Sequence, residues 1–239
     1  MGFLVNKTCP NKVVKEACTL DEKWKVKKKA YKKNYHKKRD SYKREYLMFI
    51  DIETDGILGE LDGFDYIPNI KQLACIMFKT KDYFENDFIS DFPSSLLYEY
   101  KDLHIHSEYI VKFIQIYTNY GYPFIIAHNG CAFDFKILKS HINRYMPKNE
   151  LKLSYFRTFD TYIAIQQMLL KRRKQKNYVK ISLKNVSLFM KYCHNKYEKY
   201  SYLANLAHQA LPDCKMMCLW VHVLRNQLDW TRYNGYHDI

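Results

Sequence analysis

Two carboxylates one residue apart close an apolar run at Met48–Gly56, MFIDIETDG. On a strand, residues i and i+2 share a face, so Asp51 and Glu53 can aim at one point. Paired acids at a strand end suit a hard divalent ion, because Mg²⁺ and Mn²⁺ prefer carboxylate oxygens. Taken alone, the segment equally fits an ordinary strand end capped by a polar turn. Further along, AHNGCAFDF places Asp134 near the start of a helix, and HQALPD places His208 five residues before Asp213. An acid at a helix start has a plain use as well, because it stabilises the helix N-terminus.

These residues need elements to carry them. Glu45–Glu53 reads as a first strand, Ile70–Thr80 as a second and Asp82–Ser90 as a third, arranged as an antiparallel meander. Ser107 to about Asn119 reads as a helix, with Ile110, Phe113, Ile114 and Tyr117 at helical spacing. Phe124–Ala127 is a short buried strand. It runs into a helix with Phe133, Ile137, Leu138 and Ile142 on one side. Tyr155–Phe159 reads as a further strand ending at Asp160-Thr161, followed by a helix that fades into a basic loop, KRRKQK, over 171–176. Leu183–Tyr192 suits a short amphipathic helix. The last long helix begins near Leu211 with Pro212 in its opening turn. Its Met and Trp residues, Met216, Met217 and Trp220, read as core. Strands interrupted by helices argue an α/β domain with a mixed sheet.

Composition bounds the function classes. The chain has 239 residues, 47% of them hydrophobic, which is enough for a full core. It contains no run of 18 apolar residues, so no membrane partner is expected. The opening MGFLVNKTCP is too short and polar for a signal peptide, and Asn6 departs from the myristoylation pattern. Seven cysteines, an odd number without regular spacing, fit a reducing intracellular compartment better than secretion. The net charge of +14 implies an anionic partner.

That charge is mostly local. Residues 1–46 hold 15 Lys and Arg against 5 Asp and Glu, a net of +10. Within it Lys27, Lys28, Lys29, Lys32, Lys33, Lys37, Lys38 and Arg39 alternate with Tyr31 and Tyr35. Such a pattern can neutralise phosphates and stack on bases. It also suits a solubilising tail or a nuclear-import signal, so the nucleus is one compatible location. Lys171, Arg172 and Arg173 form a second basic group, readable as a phosphate contact or as a solvated loop. The domain organisation read here is a basic extension over 1–45 and one domain over 46–239.

Taken together, IDIETDG, AHNGCAFDFKIL and HQALPD resemble, in order and separation, the motifs of the DEDDh 3′-to-5′ exonucleases. That superfamily includes the proofreading subunit of bacterial DNA polymerase III and the Trex nucleases. Asp160-Thr161 and Ser182-Leu183 match further family habits, and the resemblance spans roughly residues 46–230. Asp55 departs from it, standing where the family often has a second Thr. The resemblance implies an RNase H-like fold with a central mixed five-stranded sheet flanked by helices. It implies two Mg²⁺ or Mn²⁺ ions, with Asp51 bridging both, Glu53 and Asp213 completing one, and Asp134 supporting the other. It makes His208 the base that takes the proton from water. It places Ile52, Thr54, Asp55, His128, Asn129 and Phe133 against the terminal nucleotide of a single-stranded or frayed 3′ end, with His128 equally readable as a buttress of the strand-to-helix turn. A homodimer, or a protein partner in replication or repair, is compatible with it. DNA is favoured over RNA by the Trex-like middle motif. The alternatives are an RNA-trimming exoribonuclease and a non-catalytic nucleic-acid-binding or polymerase-associated module.

Overall fold

The strand that carries the paired acids is buried on both sides. In β1, Tyr46–Thr54, residues 47–50 are all buried, as a central strand requires. The computed structural model describes residues 45–61, 64–92, 106–145, 156–173 and 183–230. Of the basic extension 1–45 all but Glu45, together with Tyr155, residues 174–176 and Ser182, lie outside the described residues.

β2 (Gly59–Leu61) and β3 (Phe64–Tyr66) pair with each other in a separate two-stranded sheet. β4 (Ile70–Lys79) returns antiparallel beside β1, with Glu53 opposite Gln72 and a register shift between Glu53 and Thr54. The shift gives the extra residue to β4, where Lys71 falls between the partners of Glu53 and Thr54. Irregularities of this kind bend a strand, here beside the acids. On the other side of β1 runs β5, Phe124–Ala127, in parallel, followed by β6, Thr158–Asp160, also in parallel. The sheet order is therefore β4-β1-β5-β6.

Helices cover both faces. α1 (Thr80–Glu85), α4 (Thr161–Arg173), α5 (Asn185–Tyr192), a 3₁₀ segment (Glu198–Leu206) and α6 (Ala210–Leu224) share one core with Leu47 and Phe49. α2 (His106–Asn119) and α3 (Asp134–Tyr145) share the other with Met48, Ile50 and Ile52. The strict alternation along β1 fixes the direction of the next odd residues. Asp51 and Glu53 continue the Leu47–Phe49 face, toward α6. α6 is apolar on nearly every side, which marks a central helix rather than a surface one. None of the described helices is long and apolar enough to cross a membrane.

Two expectations need correction. Among the described residues the main sheet has four strands rather than five, because Asp82–Ser90 is not a strand. Its apolar residues come as adjacent pairs, Tyr83-Phe84 and Phe88-Ile89, which break the alternation a half-buried strand needs. Tyr83 is buried in α1 and donates its hydroxyl to the Cys218 carbonyl at 2.8 Å. The chain beyond it is held by side chains: Lys196 donates to the Asp87 carbonyl at 2.8 Å, and Tyr200 to the Ser90 carbonyl at 2.7 Å. Secondly, residues 171–173 are the last turn of α4, not the start of a loop.

Candidate active site

Three elements converge at the end of β1. α3 begins at Asp134, whose Oδ1 accepts the Ile52 backbone N–H at 3.0 Å, a buried bond joining residues 82 apart in sequence. α6 brings Asp213 in its first turn. Its position is set twice over: the Gln72 side-chain oxygen accepts the Ala210 N–H at 2.9 Å, and the Cys214 thiol donates to the Phe49 carbonyl at 3.2 Å. The first of these bonds satisfies a donor that every helix N-terminus leaves over. Gln72 is a site residue that sequence reading missed. The available signal was its pairing position opposite Glu53, visible only once the register is known.

Electrostatics register the convergence. Burial pushes the Asp51 carboxyl well above its ordinary range, and the carboxylates of Asp134, Asp213 and Glu53 push it further. Asp134 is raised to about 7, first by burial and then by Asp160 and Glu53, against the restraining N–H of Ile52. Glu53 is raised by burial and by Asp213, with His208 pulling the other way. Asp213 is raised by burial, opposed by the N–H and ring of His208. Four carboxylates from three segments thus act on one another, and the neighbouring carboxylates that act most on Asp51 all raise it. Such a cluster is deficient in positive charge, which a divalent cation would supply.

His208 lies in the bend before α6, exposed, with a left-handed backbone (φ 66°). Its N–H donates to Asp213 Oδ2 at 3.0 Å. One ligand atom each of Glu53, His208 and Asp213 falls within 4.8 Å of the other two. Asp51 and Asp134 stand outside that trio and are linked to it by charge: Asp51 feels Asp213 and Glu53, and Asp134 feels Glu53.

The expected nucleotide-contacting residues divide. Asn129, exposed and left-handed (φ 62°), and His128 line a groove of about 630 Å³ that reaches His208 and Asp213. Tyr162, Lys184, Asn185, Val186 and Ala207 complete much of its wall. His128 is also a brace: Nε2 meets the Leu183 carbonyl, and Nδ1 lies 2.9 Å from the Thr161 hydroxyl. Because a carbonyl only accepts, Nε2 carries the proton; burial lowers the ring's pKa and favours the neutral form. Ile52 turns its side chain into the core beneath α3, so it offers the site only backbone. Phe133 is half-buried against the same core. The Thr54 hydroxyl donates to the Gly56 carbonyl at 2.6 Å. Asp55 is committed to Asn69, accepting its N–H at 2.8 Å and its amide at 2.9 Å. Those bonds hold the Asp55 carboxyl below its ordinary value. Lys171 is exposed and lies 3.4 Å from Asp229.

Asp160 gives the turn before Asp134 its shape. Its carboxylate accepts the N–H groups of Asn129 at 3.1 Å and Cys131 at 2.9 Å, and that of Tyr162 at 2.9 Å as the N-cap of α4. Gly130 is required there: a Cβ would lie 2.7 Å from the Phe135 ring and 2.8 Å from the Ala127 Cβ.

No protein-family model matches the chain, and no curated protein sequence matches it significantly.

Proposed function

We propose that the chain is a divalent-metal-dependent 3′-to-5′ exonuclease of RNase H-like fold, acting on DNA to release nucleoside 5′-monophosphates. The observation that carries the reading is the Glu53, His208 and Asp213 trio at the mouth of a groove, electrostatically coupled to Asp51 and Asp134. The sheet order, with β1 antiparallel to β4 and parallel to β5, is compatible with that fold. The reading calls for two Mg²⁺ or Mn²⁺ ions, and mutually raised carboxylates are the donors such hard ions prefer. Ions bound there would lower the pKa of an attacking water and neutralise charge on the phosphate and on the departing oxygen.

The chain's own residues do the rest. Asp51 and Glu53 present oxygens from one face of a rigid central strand. Ile52 holds Asp134 in place through its N–H, and the His208 N–H does the same for Asp213. An imidazole nitrogen of His208 takes the proton from water, the task histidine serves most often among side chains. Water adds to phosphorus, the bond to O3′ breaks, and the proton ends on the new 3′-hydroxyl. The groove beside Asn129 receives the terminal nucleotide, and the basic extension adds phosphate contacts.

The reading is tested with purified protein, Mn²⁺ or Mg²⁺, and oligonucleotides labelled at either end. The expected result is a labelled mononucleotide from the 3′ label and a shrinking ladder from the 5′ label. Matched RNA, single strands and duplexes in the same assay determine the substrate. A protein that binds these oligonucleotides without shortening any of them would instead be a binding module.

A further inference from the structure

The exonuclease reading assigns the ions to carboxylates and leaves His208 uncoordinated, yet the imidazole lies among the oxygens. Glu53, His208 and Asp213 each bring a ligand atom within 4.8 Å of the other two. Ligands around a tetrahedral zinc, with bonds of about 2.0–2.1 Å, stand roughly 3.4 Å apart. Rotation of the exposed His208 ring can shorten its two separations, and the half-buried Glu53 side chain can shorten its own to Asp213. The His208 N–H takes one of the two oxygens of Asp213, which ties the loop to the carboxylate its ring adjoins. Glu53 is half-buried and Asp213 buried, so the trio is walled on the protein side and open toward the groove. One imidazole and two carboxylates with an open position form a donor set for a borderline ion. Mg²⁺ prefers an octahedron of oxygens and dehydrates reluctantly.

We propose that Glu53, His208 and Asp213 form a zinc-class site, one that captures a transition ion through the imidazole nitrogen and is distinct in its ligands from the carboxylate-only arrangement. The consequence is regulatory. An ion held by His208 occupies the nitrogen that would otherwise take a proton from water, so zinc silences the site even when Mg²⁺ is present. This second half rests on the exonuclease reading; the binding itself does not.

The test uses the full-length protein, stripped of metal, with Zn²⁺ titrated against a chromophoric chelator and Mg²⁺ followed by calorimetry. The variants are His208→Asn, chosen because Asn accepts a left-handed backbone, and Glu53→Gln. Wild type is expected to hold one more tight zinc equivalent than either variant. Loss of a direct ligand should weaken that site by about 100-fold or more, since even an outer-shell partner is worth about 10- to 100-fold. Mg²⁺ binding by His208→Asn should stay within about twofold of wild type, because oxygens carry it. Equal zinc stoichiometry in all three proteins would mean that thiols hold the zinc and would overturn the proposal. Parallel loss of Mg²⁺ and zinc in His208→Asn would overturn it too. A zinc equivalent that depends on His208, in a protein that shortens no oligonucleotide, would retain this site and remove the exonuclease reading.

Discussion

Replacing Asp134 by Asn should stabilise the metal-free protein at pH 8 while damaging its chemistry. The Asn side-chain oxygen can still accept the Ile52 N–H that Asp134 accepts at 3.0 Å, so the link from α3 to β1 survives. What disappears is a buried negative charge close to Glu53 and Asp160. The carboxyl is raised from 3.8 to about 7 on folding, so the folded state binds the proton more tightly than the unfolded chain. Stability contributed by the protonated acid is complete below about pH 4 and is lost as pH rises through about 7. A shift of about three units is on the order of 4 kcal/mol at most, and the neighbouring acids share it. Half of that, about 2 kcal/mol, corresponds to a Tm rise of roughly 4–8 °C for a domain of this size. The assay is thermal unfolding of chelator-treated wild type and Asp134→Asn at pH 5 and pH 8. The expected pattern is a gain at pH 8 that shrinks toward pH 5, together with a smaller stabilisation of the variant by Mn²⁺. A variant less stable than wild type by the same margin at both pH values would refute the reasoning, because Asp134 would then be a structural hydrogen-bond acceptor under no electrostatic strain.

Other outcomes follow from the same geometry. His208→Ala should lower kcat by about 10²–10⁴, the usual range for a general base, with little change in oligonucleotide affinity; a rate within a few-fold of wild type would remove His208 from the mechanism. Asp160→Ala should leave the Asn129, Cys131 and Tyr162 N–H groups without their acceptor and lower stability by at least the typical helix-cap value of about 1 kcal/mol. Denaturant titration reads the loss, and Asp160→Asn should recover part of it. Deleting residues 1–44 should weaken oligonucleotide binding and flatten its salt dependence, since slope counts neutralised phosphates. An unchanged slope would give the extension another use, such as targeting.

Much of the site is legible in the chain because the signal is local. Asp51 and Glu53 share a face by strand alternation alone, and a His five residues before an Asp can fold back on it from a bend into a helix. The α/β class with a mixed sheet is equally legible from apolar runs such as FIIA and the helical spacing that follows it. What escaped depends on partners distant in sequence. Asp82–Ser90 has enough apolar character for a strand, but Tyr83 finds its place against Cys218, 135 residues away. Asp55 looks like part of the acid motif until Asn69 claims both its oxygens. Gln72 gains its role from register, whereas Asp160, marked in the sequence beside Thr161, shows which N–H groups it holds only in the folded chain. Ile52 shows the limit of motif reading: it stands between the two acids, yet alternation sends its side chain to the opposite core.

The central claim is that Asp51, Glu53, Asp134 and Asp213 together form a metal-dependent phosphodiesterase centre. Its most direct test compares wild type and Asp51→Asn, purified identically, for release of nucleoside 5′-monophosphate from a 3′-labelled single strand in Mn²⁺ and again in excess chelator. The account predicts Mn²⁺-dependent release by wild type, abolished by chelator and reduced by at least about 100-fold in the variant, consistent with the loss of a group that binds the catalytic ions. Release that survives chelator, or that is the same in Asp51→Asn as in wild type, would contradict it.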